Sequence, residues 1–241
     1  MTYEPHDLQV TYDPSKGWSH FVLYTEPTRG IVMGGLNATT TIEPTSAYAH
    51  EWRNRLERCD PNPLHTTLVG NEEMPKLFHP CVYEDKESPS AVAGDGCLCR
   101  QTWVDPEFGS PVVAEHYRTV SGNIEHWKYR TYAPLDLRPG DTFASLIVDD
   151  GMQFWARTSH RLITPLPQES GHGYGVGYSG SGPRALAQYI QRLIESDGED
   201  TAAGDRDSGS PDPNILAWAS SKRTVRTLEL SLNELRAIQH G

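Results

Sequence analysis

The sequence predicts an α+β fold in which an antiparallel sheet is covered by about three helices. Three observations predict it: two strand pairs with hairpin chemistry between Val112 and Thr158, three apolar stripes that begin at helix-start signals, and a loop-rich composition. With 21 glycines and 18 prolines in 241 residues, the composition counsels against an all-helical bundle. The length suits one large domain or two small ones.

The strand segments come first. Val112 to Val120 and Ile124 to Tyr132 flank Ser121-Gly122-Asn123, while Phe143 to Val148 and Met152 to Thr158 flank Asp149-Asp150-Gly151. Short polar turns of this kind close hairpins, and Arg138-Pro139-Gly140-Asp141 links the two pairs, so a four-strand meander is expected. A further strand is expected at Trp18 to Tyr24, before a Gly34-Gly35 turn.

Each helix has its own start. Thr45 and Ser46 cap a segment in which Tyr48, Trp52 and Leu56 recur four apart, and Asp60-Pro61-Asn62-Pro63 stops it. Pro183 suits a first helical position, and Leu186, Ala187, Ile190, Leu193 and Ile194 continue as one stripe. Ser231 with Glu234 three residues on forms a capping box ahead of Leu235 and Ile238.

Organisation follows from these elements. Residues 1–100 form a loop-rich region with one helix, and 101–194 hold the sheet and the helix after the glycine loop. From Glu195 to Asn214 the chain carries seven acidic residues, one arginine and no large apolar side chain before Asp212, so 195–214 reads as a flexible acidic loop. Residues 215–241 supply a strand and a helix that pack back on the same domain.

Charge and hydropathy narrow the function. No apolar run approaches the roughly 20 residues of a membrane span, and the start MTYEPHDLQV lacks the basic and apolar regions of a signal peptide, so a cytoplasmic protein is expected. A formal net charge of −11 repels phosphate backbones, which disfavours nucleic acid as the main partner unless a local basic patch overcomes the average field. His126 to Tyr132 is one such stretch, with Trp127, Tyr129 and Thr131 on one strand face and Lys128 and Arg130 on the other. It reads as a strand with a buried aromatic face and a solvated cationic one, with base stacking as the alternative.

The strongest local signal is Gly173 to Ile190, GYGVGYSGSGPRALAQYI. Its glycines permit close backbone approach, and the free N–H groups of the helix start can hold an anion. Gly180, Ser181, Gly182 and Arg184, with His172 beside the loop, are therefore candidate ligand-binding residues. A tight turn packed on the sheet is the alternative. No Lys-Ser/Thr follows the glycines, so this is not the phosphate loop of the common NTPases. The run Gly-Tyr-x-Gly-x-Gly-Pro with Leu186-Ala187 behind it resembles the signature of a small bacterial and phage domain of unknown function, over residues 175–190 only. Val176 and Ser179 depart from that family's usual aromatic residue and glycine. The resemblance implies a phage or bacterial, actinobacterial-type context, and no catalytic residues.

The four cysteines, Cys59, Cys81, Cys97 and Cys99, fall in an irregular stretch with His65 and His79. His79-x-Cys81 and Cys97-x-Cys99 are close pairs, so Cys81, Cys97, Cys99 and His79 are candidate zinc ligands; free thiols and disulfides are the alternatives. The spacing is shorter than in zinc fingers. No G-x-S-x-G elbow occurs, and Asp149-Asp150 reads as turn chemistry ahead of a divalent-cation site. These readings point to a non-enzymatic accessory protein that binds a protein partner or small anionic ligand. An enzyme acting on a nucleotide-like substrate and a virion component are the alternatives.

Overall fold

The computed structural model describes residues 8–13, 18–23, 39–69, 78–92, 96–119, 124–149, 153–169, 173–204 and 209–241. They divide into two compact units, residues 1–43 with 55–132 and residues 44–54 with 133–241. The class is α+β with antiparallel sheets, as the hairpin and helix signals predict.

The first unit contains the strands β1 (Leu8–Asp13) and β2 (Trp18–Leu23), which pair with each other, and a larger sheet. The larger sheet runs in the order β3 (Thr39–Ile42), β8 (Ile124–Tyr132), β7 (Ser110–Thr119), β6 (Gly96–Asp105) and β4 (Glu57–Arg58), with β5 (Ala91–Val92) also on β6. The turn between β6 and β7 is built on Asp105: its carbonyl accepts from Gly109 N at 2.7 Å, and its carboxylate takes a bidentate contact from Arg55 at 2.9 and 2.6 Å. Beyond Asp60-Pro61-Asn62 the chain turns directly into a helix, α2 (Pro63–Val69), whose first turn is capped by Asn62 Oδ1 accepting from Leu64 N at 2.9 Å. It packs on β7 and β8 with Leu68 fully buried.

The second unit is built on a four-stranded sheet in the order β11 (Ile163–Pro165), β10 (Gln153–Thr158), β9 (Phe143–Asp149) and β12 (Leu228–Ser231). Strand periodicity divides its side chains. Leu146, Val148 and Ala156 face the core formed with α3 (Ser181–Glu195), α4 (Pro213–Ser220) and α5 (Leu232–His240), where Leu186, Ile190, Leu193, Ile215 and Leu235 are buried. Ile147 and Trp155 face the other way, and Trp155 meets Trp52 of α1 (Ala47–Asn54) with ring centroids 6.0 Å apart. Arg157 ties this face together through Glu51 and Glu229, each at 2.8 Å. Burying two tryptophans explains why α1 belongs to this unit although β3 and β4, its neighbours in sequence, belong to the other.

Four expectations need revision. The two hairpins do not form one meander: β7 and β8 lie in one sheet, β9 and β10 in another, and the division between the units falls at Tyr132/Ala133. Five helices are present among the described residues, because short prolyl starts at Pro63 and Pro213 found caps in Asn62 and Asp212. Cys97 and Cys99 lie in strand β6, not in an irregular stretch. The acidic segment is tied down over 196–204: Tyr189 Oη donates to Thr201 O at 2.9 Å, and Arg192 donates to Ala202 O and Gly204 O at 3.0 and 2.5 Å. Its carbonyls, rather than apolar side chains, hold it to α3. Among the expected features, the Ser231–Glu234 capping box is formed in both directions.

Candidate functional site

Two thiols reach one face of the first unit's large sheet because Cys97 and Cys99 are two residues apart in a strand. The β6–β7 register sets His116 directly opposite Cys99, so its imidazole joins them on that face. Cys81 closes the group from a turn held in place by Glu84 N and Asp85 N, which donate to its carbonyl at 2.8 and 2.9 Å. The four ligand atoms, three Sγ and His116 Nδ1, lie within 4.8 Å of one another, and all four residues are buried. Cys81 and Cys97 Sγ are 3.4 Å apart, and His116 Nδ1 lies 3.3, 3.7 and 3.9 Å from the sulfurs of Cys97, Cys99 and Cys81. The sulfur separation is far outside the roughly 2.05 Å of a disulfide, and all four cysteines are free.

This arrangement suits a metal ion. His116 Nε2–H donates to Glu125 Oε1 at 3.0 Å, which leaves the Nδ1 lone pair facing the sulfurs. The Glu125 carboxyl is held below its ordinary value, chiefly by that hydrogen bond. Trp127 stacks on the imidazole, with centroids 4.1 Å apart at 15°. Burial pushes the Cys97 thiol up to about 11, helped by Cys81, and the Cys99 thiol up to about 12, helped by Cys81 and Cys97. Such thiols ionise when a cation sits among them, because the cation supplies the charge that desolvation removes.

Cys81, Cys97 and Cys99 are the three cysteines that the sequence marks as candidate zinc ligands, and the structure brings them together. The fourth is His116, not His79: His79 is bridged by its backbone to Arg100, one residue beyond Cys99, and lies outside the cluster. His116 was hidden because it is 17 residues from the nearest cysteine along the chain and is brought in by strand pairing alone. Cys59 and His65 form a separate structural contact. His65 Nδ1 accepts from Asn62 N at 3.2 Å and its Nε2–H donates to Trp103 O at 2.9 Å, so both ring nitrogens are occupied; burial lowers its pKa. Burial likewise raises the Cys59 thiol to about 11, the reverse of what a nucleophile needs.

The glycine loop has a packing role. Gly175, Gly180 and Gly182 all border the Tyr178 ring, and a methyl group added at any of them would collide with it. Gly177 has φ 84°, and its N–H donates to Ala219 O at 2.8 Å. Gly180 precedes α3, and no side chain caps the helix start. Ser181 and Arg184 are exposed on its first turn, Gly182 is buried, and His172 lies outside the described residues. A cavity of about 410 Å³ beside α3 includes Tyr174, Gln188, Tyr189 and Arg192 in its lining. These polar groups already bond to main-chain carbonyls, of Pro167, Gly209, Thr201 and Ala202 with Gly204 respectively.

Two other candidates are absorbed by the fold. Asp149 accepts from Ser46 Oγ and, at 3.2 Å, from Trp155 Nε1. In the 126–132 strand, Tyr129 and Thr131 are buried, while Lys128 faces Glu43 at 3.5 Å and Arg130 faces Glu115 at 3.2 Å. No described helix is long and apolar enough to cross a membrane. Comparison with protein-family models, curated proteins and solved structures found no match. The Cys₃His cluster is therefore the feature whose chemistry is most sharply defined.

Proposed function

We propose that this chain is a non-enzymatic accessory protein of phage or bacterial origin, locked in its first unit by a structural Zn²⁺ and acting by binding a partner. The observation that carries the zinc reading is the convergence of Cys81, Cys97, Cys99 and His116 Nδ1 in one buried cluster. Tetrahedral Zn–S bonds of about 2.3 Å and Zn–N bonds of about 2.0–2.1 Å correspond to S···S edges of about 3.8 Å and S···N edges of about 3.5 Å. The separations of 3.3 to 3.9 Å between His116 Nδ1 and the sulfurs, and 3.4 Å between Cys81 and Cys97, fit that size.

The donor set also argues the role. Three thiolates and one imidazole fill a four-coordinate site, and a filled site keeps no position for water or substrate. The metal then supplies a cross-link between the Cys81 turn and strands β6 and β7, which supports a binding protein over an enzyme. The Gly-Tyr-x-Gly-x-Gly-Pro motif, which resembles a phage and bacterial domain, supports the origin.

Elemental analysis of protein purified without added metal tests this. About one zinc per chain is expected, and a strong chelator should lower the thermal transition. A metal-free chain that takes up no zinc, yet unfolds at the same temperature with and without it, overturns the reading.

A further inference from the structure

The glycine loop and the 3₁₀ turn Lys222–Thr224 form an exposed aromatic and cationic surface on the second unit. Gly177 packs against Val225 and lies close to Lys222, so the loop and this turn are neighbours. Tyr178 is 47% exposed and Val225 53% exposed, and Leu135, at 66%, is the other exposed large hydrophobic side chain described in this unit. Lys222, Arg223 and Arg226 are exposed and have no ion pair among the described residues. Many cations elsewhere face a carboxylate, Arg100, Arg118 and Arg130 in the first unit and Arg138, Arg157 and Arg236 in the second, while Lys86, Arg161 and Arg184 are exposed singly.

Three uncompensated cations within five residues stand out in a chain of net charge −11. They make the local basic patch that a phosphate backbone requires, whereas the cations of the 126–132 strand are spent on Glu43 and Glu115. Beside them Tyr178 rests on Gly175, Gly180 and Gly182, which lack side chains to cover its ring. An exposed ring on a loop that neighbours a cationic turn supplies the two groups that single strands use, a surface to stack a base and charges for the adjoining phosphates. A mononucleotide would engage one cation or two, while three along a short segment suit a strand. An acidic peptide would engage the cations but has no base to stack on the ring.

From these observations we infer that this surface binds single-stranded nucleic acid, with Tyr178 as a stacking platform and Lys222, Arg223 and Arg226 as phosphate contacts. The inference names the partner for the binding role proposed above, and it involves no residue of the metal cluster. Zinc content can therefore fail while strand binding holds, and the reverse.

Fluorescence anisotropy of a labelled oligothymidylate, titrated with the full chain at several salt concentrations, is the test. Binding is expected at low salt, falling linearly on a log–log plot by about 0.7 per phosphate contact. The double charge reversal Lys222→Glu with Arg223→Glu should weaken binding at least about tenfold and flatten that slope. Lys86→Glu, the same kind of charge change in an exposed turn of the first unit, should have far less effect. Tyr178→Ala should weaken binding about 5- to 150-fold at every salt concentration, with Tyr178→Phe restoring it. No binding at low salt, equal losses for the double reversal and Lys86→Glu, a free thymidine nucleotide competing as well as the oligomer, or binding of poly-glutamate in its place each overturns the proposal.

Discussion

Glu125 Oε1 accepts a hydrogen bond from His116 Nε2 at 3.0 Å, and this contact decides which ring nitrogen faces the three thiols. It also reaches across the β7–β8 hairpin, because His116 and Glu125 lie on neighbouring strands. A carboxylate in this position fixes the tautomer and the orientation of the ring. Glu125→Ala should lower zinc affinity by about 10- to 100-fold, read by competition with a coloured chelator, while Glu125→Gln retains an acceptor and loses less. Equal affinity in all three proteins would show that Glu125 does not position the imidazole.

Replacing Cys97 with serine should abolish stoichiometric zinc and cost more than about 3 kcal/mol of stability, since metal binding at such a site is folding free energy. Cys59 lies outside the cluster, so Cys59→Ser should keep the zinc and stay within about 1 kcal/mol of wild type. Denaturant unfolding paired with metal analysis separates the two.

Gly177→Ala should destabilise the second unit by about 1–3 kcal/mol. Its φ of 84° disfavours any side chain, and the added methyl would collide with Val225. The companion Gly177→Ala with Val225→Ala removes the collision and leaves the backbone strain, so it should recover part of the loss in thermal unfolding.

Acid stability should depend on Asp141. Burial pushes its carboxyl up, but hydrogen bonds from Arg138 at 2.8 Å and His160 at 2.6 Å outweigh that and hold it below the ordinary value. A depressed folded-state pKa favours the ionised form in the native protein. Its contribution is therefore fully present above the unfolded value of about 3.9 and is lost as pH falls through the folded value. Asp141→Asn should lower stability near neutrality and flatten the acid limb of a stability-against-pH curve. An unchanged acid limb would remove Asp141 as a source of that dependence.

Local signals were legible wherever neighbouring residues make the contact. Ser231 and Glu234 cap a helix from three positions apart, Pro183 falls in the first turn of the longest described helix, two residues after its start at Ser181, and the alternating segments pair as hairpins. The class α+β follows from these short-range rules. Cys97-x-Cys99 also carried real information: two residues apart in a strand, both thiols share a face.

What the tertiary structure decided has long sequence separation in common. His116 joins the thiols only through the register that sets it against Cys99, and its choice over His79 depends on strand pairing that no local pattern encodes. The split of the two hairpins between different sheets reflects which apolar faces found helices, with α1 recruited to the second unit by Trp52 against Trp155. The acidic segment after α3 looked unable to order itself because composition counts apolar side chains, whereas Arg192 and Tyr189 hold its carbonyls. By itself the sequence determined the α+β class, two strand pairs, three of the helices and three of the four residues of the Cys₃His cluster. Only the fold determined which of them meet, because strand register and sheet packing join residues that are distant along the chain.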